Sequence, residues 1–149
     1  MGFDVRRRGQ MAPQLNEVLT MNSTSAIIVN RVVKMGAVAG NVKHTTGSSG
    51  RAVLGVALNG ATGGGKKVLV QVSGVVTVQA SSKAIAAGAV VRATSGAAST
   101  GTQLGGTVRT STGTAQNGVG IALTSCAAAG TKRTISIQLC QSYNNPTLL

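Results

Sequence analysis

Carboxylates are nearly absent from this chain: of 149 residues only Asp4 and Glu17 are acidic, and His44 is the single histidine. Beyond Glu17 there is no carboxylate pair for general acid–base work, no three-ligand His/Asp/Glu cage for a metal and no carboxylate-assisted Ser/His triad. An enzyme is not expected, and neither is a cofactor or a metal. Aromatic residues number two, Phe3 and Tyr143, at opposite ends of the sequence, so bases would find almost nothing to stack on. Long apolar runs are missing as well. Thr, Ser, Asn or Gly interrupts each within a few residues, far short of the ~20 needed for a bilayer-spanning helix, and no membrane association is expected. The amino terminus has no apolar signal core and carries Arg6 where a myristoylation site needs Ser or Thr, which predicts that the chain is made and kept in a cytoplasm. Cys126 and Cys140 match no zinc or CxxC spacing and read as two idle thiols.

What the chain has in quantity is positive charge, glycine and β-branched residues. Fourteen Lys and Arg against two acids give a net charge of +12, which directs the chain toward polyanions or acidic surfaces. Glycine, at 21 of 149 residues, runs at about twice its usual ~7% share and suits many tight turns. Short Val/Ile/Thr-rich runs bounded by Gly, Ser or Asn predict nine strands at residues 27–33, 37–43, 52–58, 67–72, 75–79, 89–93, 106–110, 118–123 and 134–140. Only residues 82–87 read as a helical turn. The pattern specifies an all-β fold: a single compact antiparallel β-sandwich or barrel-like domain over residues 26–143, with an extended N-terminal arm over 1–25 and a C-terminal tail over 144–149. Within the arm, Leu15-Asn16-Glu17-Val18-Leu19 is long enough for one helical turn, which needs an outside contact to order it.

Two pieces repeat. Val53-Leu54-Gly55-Val56-Ala57-Leu58 is echoed by Gly118-Val119-Gly120-Ile121-Ala122-Leu123, and each is followed by a Gly/Ala-rich loop and then a strand with a basic start, Lys66-Lys67 or Lys132-Arg133. A glycine within an apolar strand signals a bulge or a close backbone approach, and the two copies read as related hairpins closing one sandwich. The stretch from Gly60 to Lys67 also satisfies GxxxxGK. It lacks the following Ser or Thr for magnesium and leads into a strand, not a helix, so it reads as a hairpin loop instead of a phosphate loop. His44, beside Thr45 and Thr46, reads as a loop residue.

The run Arg6-Arg7-Arg8 is the densest charge, and three guanidiniums in a row can fork onto carboxylates or phosphates. Met11, Leu15, Val18 and Leu19 follow it and call for burial. Together with Lys66, Lys67, Lys132 and Arg133, which occupy matching places in the two repeats, these are the candidate partner-binding residues.

The segments 50–58, 70–78 and 84–91, continued by 118–123, 127–130 and 135–139, resemble tailed-phage capsid decoration, or cement, proteins. The shared order is a glycine-containing strand, a small-residue loop, a strand ending near Gly, and an Ala-rich stretch with Ala-Gly before another strand. The resemblance implies a structural virion protein seated on the outer capsid surface, with the major capsid protein as partner, neighbouring copies as a further partner, and a role in reinforcing the shell. The alternative left open by the charge is a sequence-independent nucleic-acid-binding protein facing packaged DNA.

Overall fold

The computed structural model describes residues 16–45, 53–81, 83–94, 106–111, 118–127 and 134–139. Among them the chain forms ten strands and no helix: β1 (Val18–Ser23), β2 (Val32–Met35), β3 (Asn41–His44), β4 (Val53–Ala57), β5 (Lys67–Gln71), β6 (Val75–Gln79), β7 (Val90–Ala93), β8 (Val108–Thr110), β9 (Gly118–Ala122) and β10 (Thr134–Leu139). The all-β expectation holds. The first five strands close a barrel in the order β1-β3-β2-β4-β5, and the last five form a sheet in the order β6-β10-β9-β7-β8. The outer strands of that sheet are linked at one point, a parallel bridge between Ala80, just after β6, and Val108 of β8. Strand pairing is antiparallel apart from β1 with β3 and that bridge.

The two halves are copies of one plan. β2 meets β4 with a register shift after Val33, and β7 meets β9 with a register shift after Val91. Ile27 bridges Ala61 as Ile85 bridges Cys126. The loop before β2 turns at Asn30 with φ 62°, and the loop before β7 turns at Gly88 with φ 83°; Asn30 N–H donates to the Ala57 carbonyl and Gly88 N–H to the Ala122 carbonyl. The repeat legible in the sequence thus extends to all five strands of each half. Its two hairpins, β4–β5 and β9–β10, do not close one sandwich. Each lies within its own sheet.

The repeated glycines have a common cause. A Cβ on Gly55 would land on the Gln71 carbonyl oxygen, and one on Gly120 on the Gln138 carbonyl oxygen. These backbones approach too closely for any side chain, which is what brings neighbouring strands around a barrel this narrow.

Both interiors are filled by small side chains. Ile27, Val33, Val42, Ala57, Val68, Val70 and Val72 fill the first, with Met21 and Leu54 packed against them. Val78, Ile85, Val91, Val108, Ala122, Ile135, Ile137 and Leu139 belong to the second. Val32 and Val56, which sit on β2 and β4 of the first barrel, also belong to that second cluster, so the halves share a buried seam.

Several expectations are corrected. Residues 18–23, read as part of the arm, form β1 and pair with β5 from Val18–Gln71 to Asn22–Lys67. A full ladder outweighs an isolated helical turn, so Val18 and Leu19 are extended. The polar run Asn22-Ser23-Thr24 hid this strand, yet Ser23 is buried and its hydroxyl donates to the Gly63 carbonyl at 2.6 Å. The strands expected at 27–33 and 37–43 begin later, at Val32 and Asn41, because the left-handed turn at Asn30 and the turn closed by Asn41 N–H to Val38 O interrupt the extended runs. No helix occurs among the described residues of 82–87, where Ile85 instead makes its bridge to Cys126.

Gly55→Ala and Gly120→Ala are each expected to lower unfolding free energy by about 1–3 kcal/mol, the scale of forced overpacking. Urea denaturation checks this, with equal losses expected in the two copies.

Candidate functional site

The candidate binding residues separate into two groups. Arg6, Arg7, Arg8, Met11, Leu15, Lys132 and Arg133 lie outside the described residues, as do Cys140 and the tail 144–149. Val18, Leu19, Lys66 and Lys67 are described, and all four are exposed. β1 and β5 carry three of them on one ladder but at opposite ends: Val18 stands opposite Gln71, Leu19 opposite Val70, Thr20 opposite Leu69, and Asn22 opposite Lys67. Leu69 is exposed, and Leu58, also exposed, donates its N–H to the Leu69 carbonyl. The outer wall β4–β5–β1 therefore presents Leu58 and Leu69 at its middle, Lys67 at one end of the β1–β5 ladder and Val18 at the other.

The second half repeats part of this wall. Val75 occupies in β6 the place of Val18 in β1, facing Gln138 as Val18 faces Gln71. Leu123 donates to the Ser136 carbonyl as Leu58 does to that of Leu69. Val75 and Leu123 are 45% and 48% exposed, values at which a core role is excluded. Sequence reasoning did not single out Leu58, Leu69, Val75 or Leu123. The signal was present in Gly-[Val/Ile]-Ala-Leu, where the last residue of each copy falls one position past its strand.

The glycine loop is held by the protein itself. Gly65 N–H donates to the Ser23 carbonyl and Lys66 N–H to Ser23 Oγ at 3.0 Å, while Asn59 Oδ1 accepts from Leu69 N–H at 2.6 Å. These amides already have partners, and β5 follows directly, as expected of a hairpin loop. Among the described residues no group of three His, Cys, Asp or Glu comes together. Cys126 is half-buried against the second core.

His44 is not in a loop. It ends β3, is buried, and its Nε2 accepts the Ile28 N–H at 3.0 Å. Arg31 is buried close by, and its Nε donates to Gln79 Oε1 at 2.9 Å across the seam between the halves. Gln79 N–H donates to Asn30 O and Val32 N–H to Gly106 O, so the seam is sealed by backbone bonds around a buried cation. Burial lowers the Arg31 guanidinium from its ordinary value. Burial first, and then the Arg31 charge, lower His44 from 6.5 to about 4.

A histidine whose folded pKa lies below its unfolded one binds fewer protons when folded, so stability falls as pH drops from about 6.5 toward 4 and is flat above. With only two carboxylates in the chain, this histidine should dominate the acid limb. Thermal melts between pH 7 and 4 should show falling stability, and His44→Gln should flatten most of that slope.

Comparison with known proteins adds two findings. A family profile described as phage cement protein matches residues 12–139. The chain is also similar to a solved structure, the crystal structure of the head fiber gp8.5 N base in bacteriophage phi29, with a TM-score of 0.60 at 14% sequence identity over 85% of this chain and 95% of that one. At that identity the likeness is one of fold. No curated protein sequence matches.

Proposed function

The chain belongs to the phage cement protein family, and from that premise we propose that it is a decoration subunit that binds the outer surface of a phage head and stabilises contacts between major capsid subunits. The family is one of structural phage proteins, not an enzyme class. The match over residues 12–139 carries this reading, because it spans both halves of the duplicated fold and not one motif. Two supports come from the structure. Apolar side chains stand exposed at matching places in both halves, as a protein that works by adhering requires. The net charge of +12 favours an acidic lattice over an indifferent one.

In this reading the wall bearing Val18, Leu19, Lys66 and Lys67 faces the shell. The sequence before β1 adds Arg6, Arg7 and Arg8 as forks for shell carboxylates and Met11 and Leu15 as apolar contacts, and Lys132-Arg133 supplies in the second copy what Lys66-Lys67 supplies in the first. Each subunit touching more than one capsid protein must be detached from all of them before the shell opens. Many weak attachments over a particle then add up, as linked sites gain from effective concentration.

Imaging purified heads with and without this chain tests the proposal: density over the outer shell is expected only with it, and heads lacking it should open at lower temperature. Deleting residues 1–15 leaves β1 intact and is expected to weaken head binding by about tenfold or more at unchanged thermal stability. Unchanged occupancy would remove the leading basic run from the interface. The nucleic-acid alternative draws on the charge alone and predicts tight, sequence-indifferent duplex binding near physiological salt in a gel-shift titration.

A further inference from the structure

Two rungs of the fold carry like charges. Where β2 pairs with β3, Lys34 stands directly opposite Lys43, and where β7 pairs with β8, Arg92 stands directly opposite Arg109. The rungs correspond: each lies between a pair that includes Val33 or Val91 and a pair that includes Val42 or Val108. Opposed side chains on an antiparallel ladder have Cβ atoms about 4.5–5.5 Å apart, and like charges there destabilise the sheet. All four residues are half-buried, so part of each long side chain lies along the sheet. Among the described residues the only acid is Glu17, whose backbone is tied to Ser73 and Val72 beside β5, and it is not a partner on either ladder. Arg92 Nε and Arg109 Nε are buried without a hydrogen-bond partner among the described residues.

A solvated face explains one such rung and leaves its duplicate unexplained. Around these rungs the copies have diverged: His44 against Thr110, Met35 against Ala93. The cation pair persists in both although its chemistry has changed from Lys to Arg, and it costs stability in each. The geometry points to two docking sites for an acidic protein surface, one on each half, in which Lys34 with Lys43 and Arg92 with Arg109 each clamp a carboxylate cluster. Guanidinium and ammonium donors converging from two strands fit carboxylates, and Arg adds its bidentate fork. A protein fits better than a nucleic acid because the chain has no aromatic side chain among the described residues to stack on bases. This rests on the capsid reading; because β2–β3 lies across the closed barrel from β5, the acidic patch that meets Lys34–Lys43 belongs to a different capsid neighbour from the one that meets the β4–β5–β1 wall.

The test uses full-length chain and heads of the encoding phage that lack it, with co-sedimentation at physiological salt. Single reversals Lys34→Glu and Arg92→Glu are compared with Lys83→Glu, which changes net charge equally but lies off the rungs. Each rung reversal should weaken head binding by about tenfold or more, the scale of a lost charge pair at an interface, and Lys83→Glu by much less. Reversing both rungs together should abolish co-sedimentation. The melting temperature of Lys34→Glu should stay level or rise, because a repulsive rung becomes attractive; a merely structural role would move stability and binding in the same direction. Rung variants that bind heads like wild type, or no worse than Lys83→Glu, overturn the docking sites and leave the capsid reading standing. Wild type failing to bind heads overturns the capsid reading itself. If a duplex DNA fragment competes wild type off the heads, the rungs serve phosphates and the proposal is wrong.

Discussion

Among the described residues the interior is filled without aromatic rings, and that constraint shapes most of what surrounds it. Valine, isoleucine and alanine supply little volume each, so the space between strands must be narrow for them to reach native packing density. Five tightly curved strands are narrow enough, provided neighbouring backbones come close, and Gly55 in the barrel and Gly120 in the second sheet are where they do. Small core, bare glycine and tight closure are therefore one solution seen from three sides. The same economy limits how large either half can grow, and the chain reaches domain size by building the unit twice and burying Val32 and Val56 between the copies.

The sequence made some of this legible and hid the rest for identifiable reasons. β6 was expected over its observed residues, and β4, β5, β7, β9 and β10 to within a residue or two, because alternation and flanking glycines agree there. β1 was hidden because its buried position at Ser23 is polar and satisfied by a loop carbonyl far along the chain. The start of β2 was misplaced because Asn30 enters the left-handed region without the glycine that marks its counterpart, Gly88. Duplication was visible where Gly-[Val/Ile]-Ala-Leu recurs and in the small-residue loop and basic strand start that follow each copy. The other strand pairs match in register and not in residue type, and register cannot be read until the strands are paired.

The binding residues show the same division. Lys66 and Lys67 are exposed, and so are Val18 and Leu19, whose apolar character calls for burial, while His44 is a buried neutral ring on a strand. The paired cations at Lys34–Lys43 and Arg92–Arg109 looked scattered in one dimension, since the partners lie 9 and 17 positions apart in sequence. Pairing turned them into the most concentrated repulsion on the described ladders, and repulsion retained twice suggests a partner that relieves it.

The closures of the two halves are unequal. β1 and β3 share the rungs Asn22–Asn41 and Ser23–Val42, whereas among the described residues the second sheet is drawn together by a single bridge at Ala80–Val108. Beside that weaker hem, Gln79 and Gly106 are laced to Asn30, Arg31 and Val32 of the intact ring. The sturdier copy thus acts as a splint for its twin, and a molecule assembled from duplicate parts should tear as one piece: prising the halves apart would unfasten the very stitches that keep the second from unrolling.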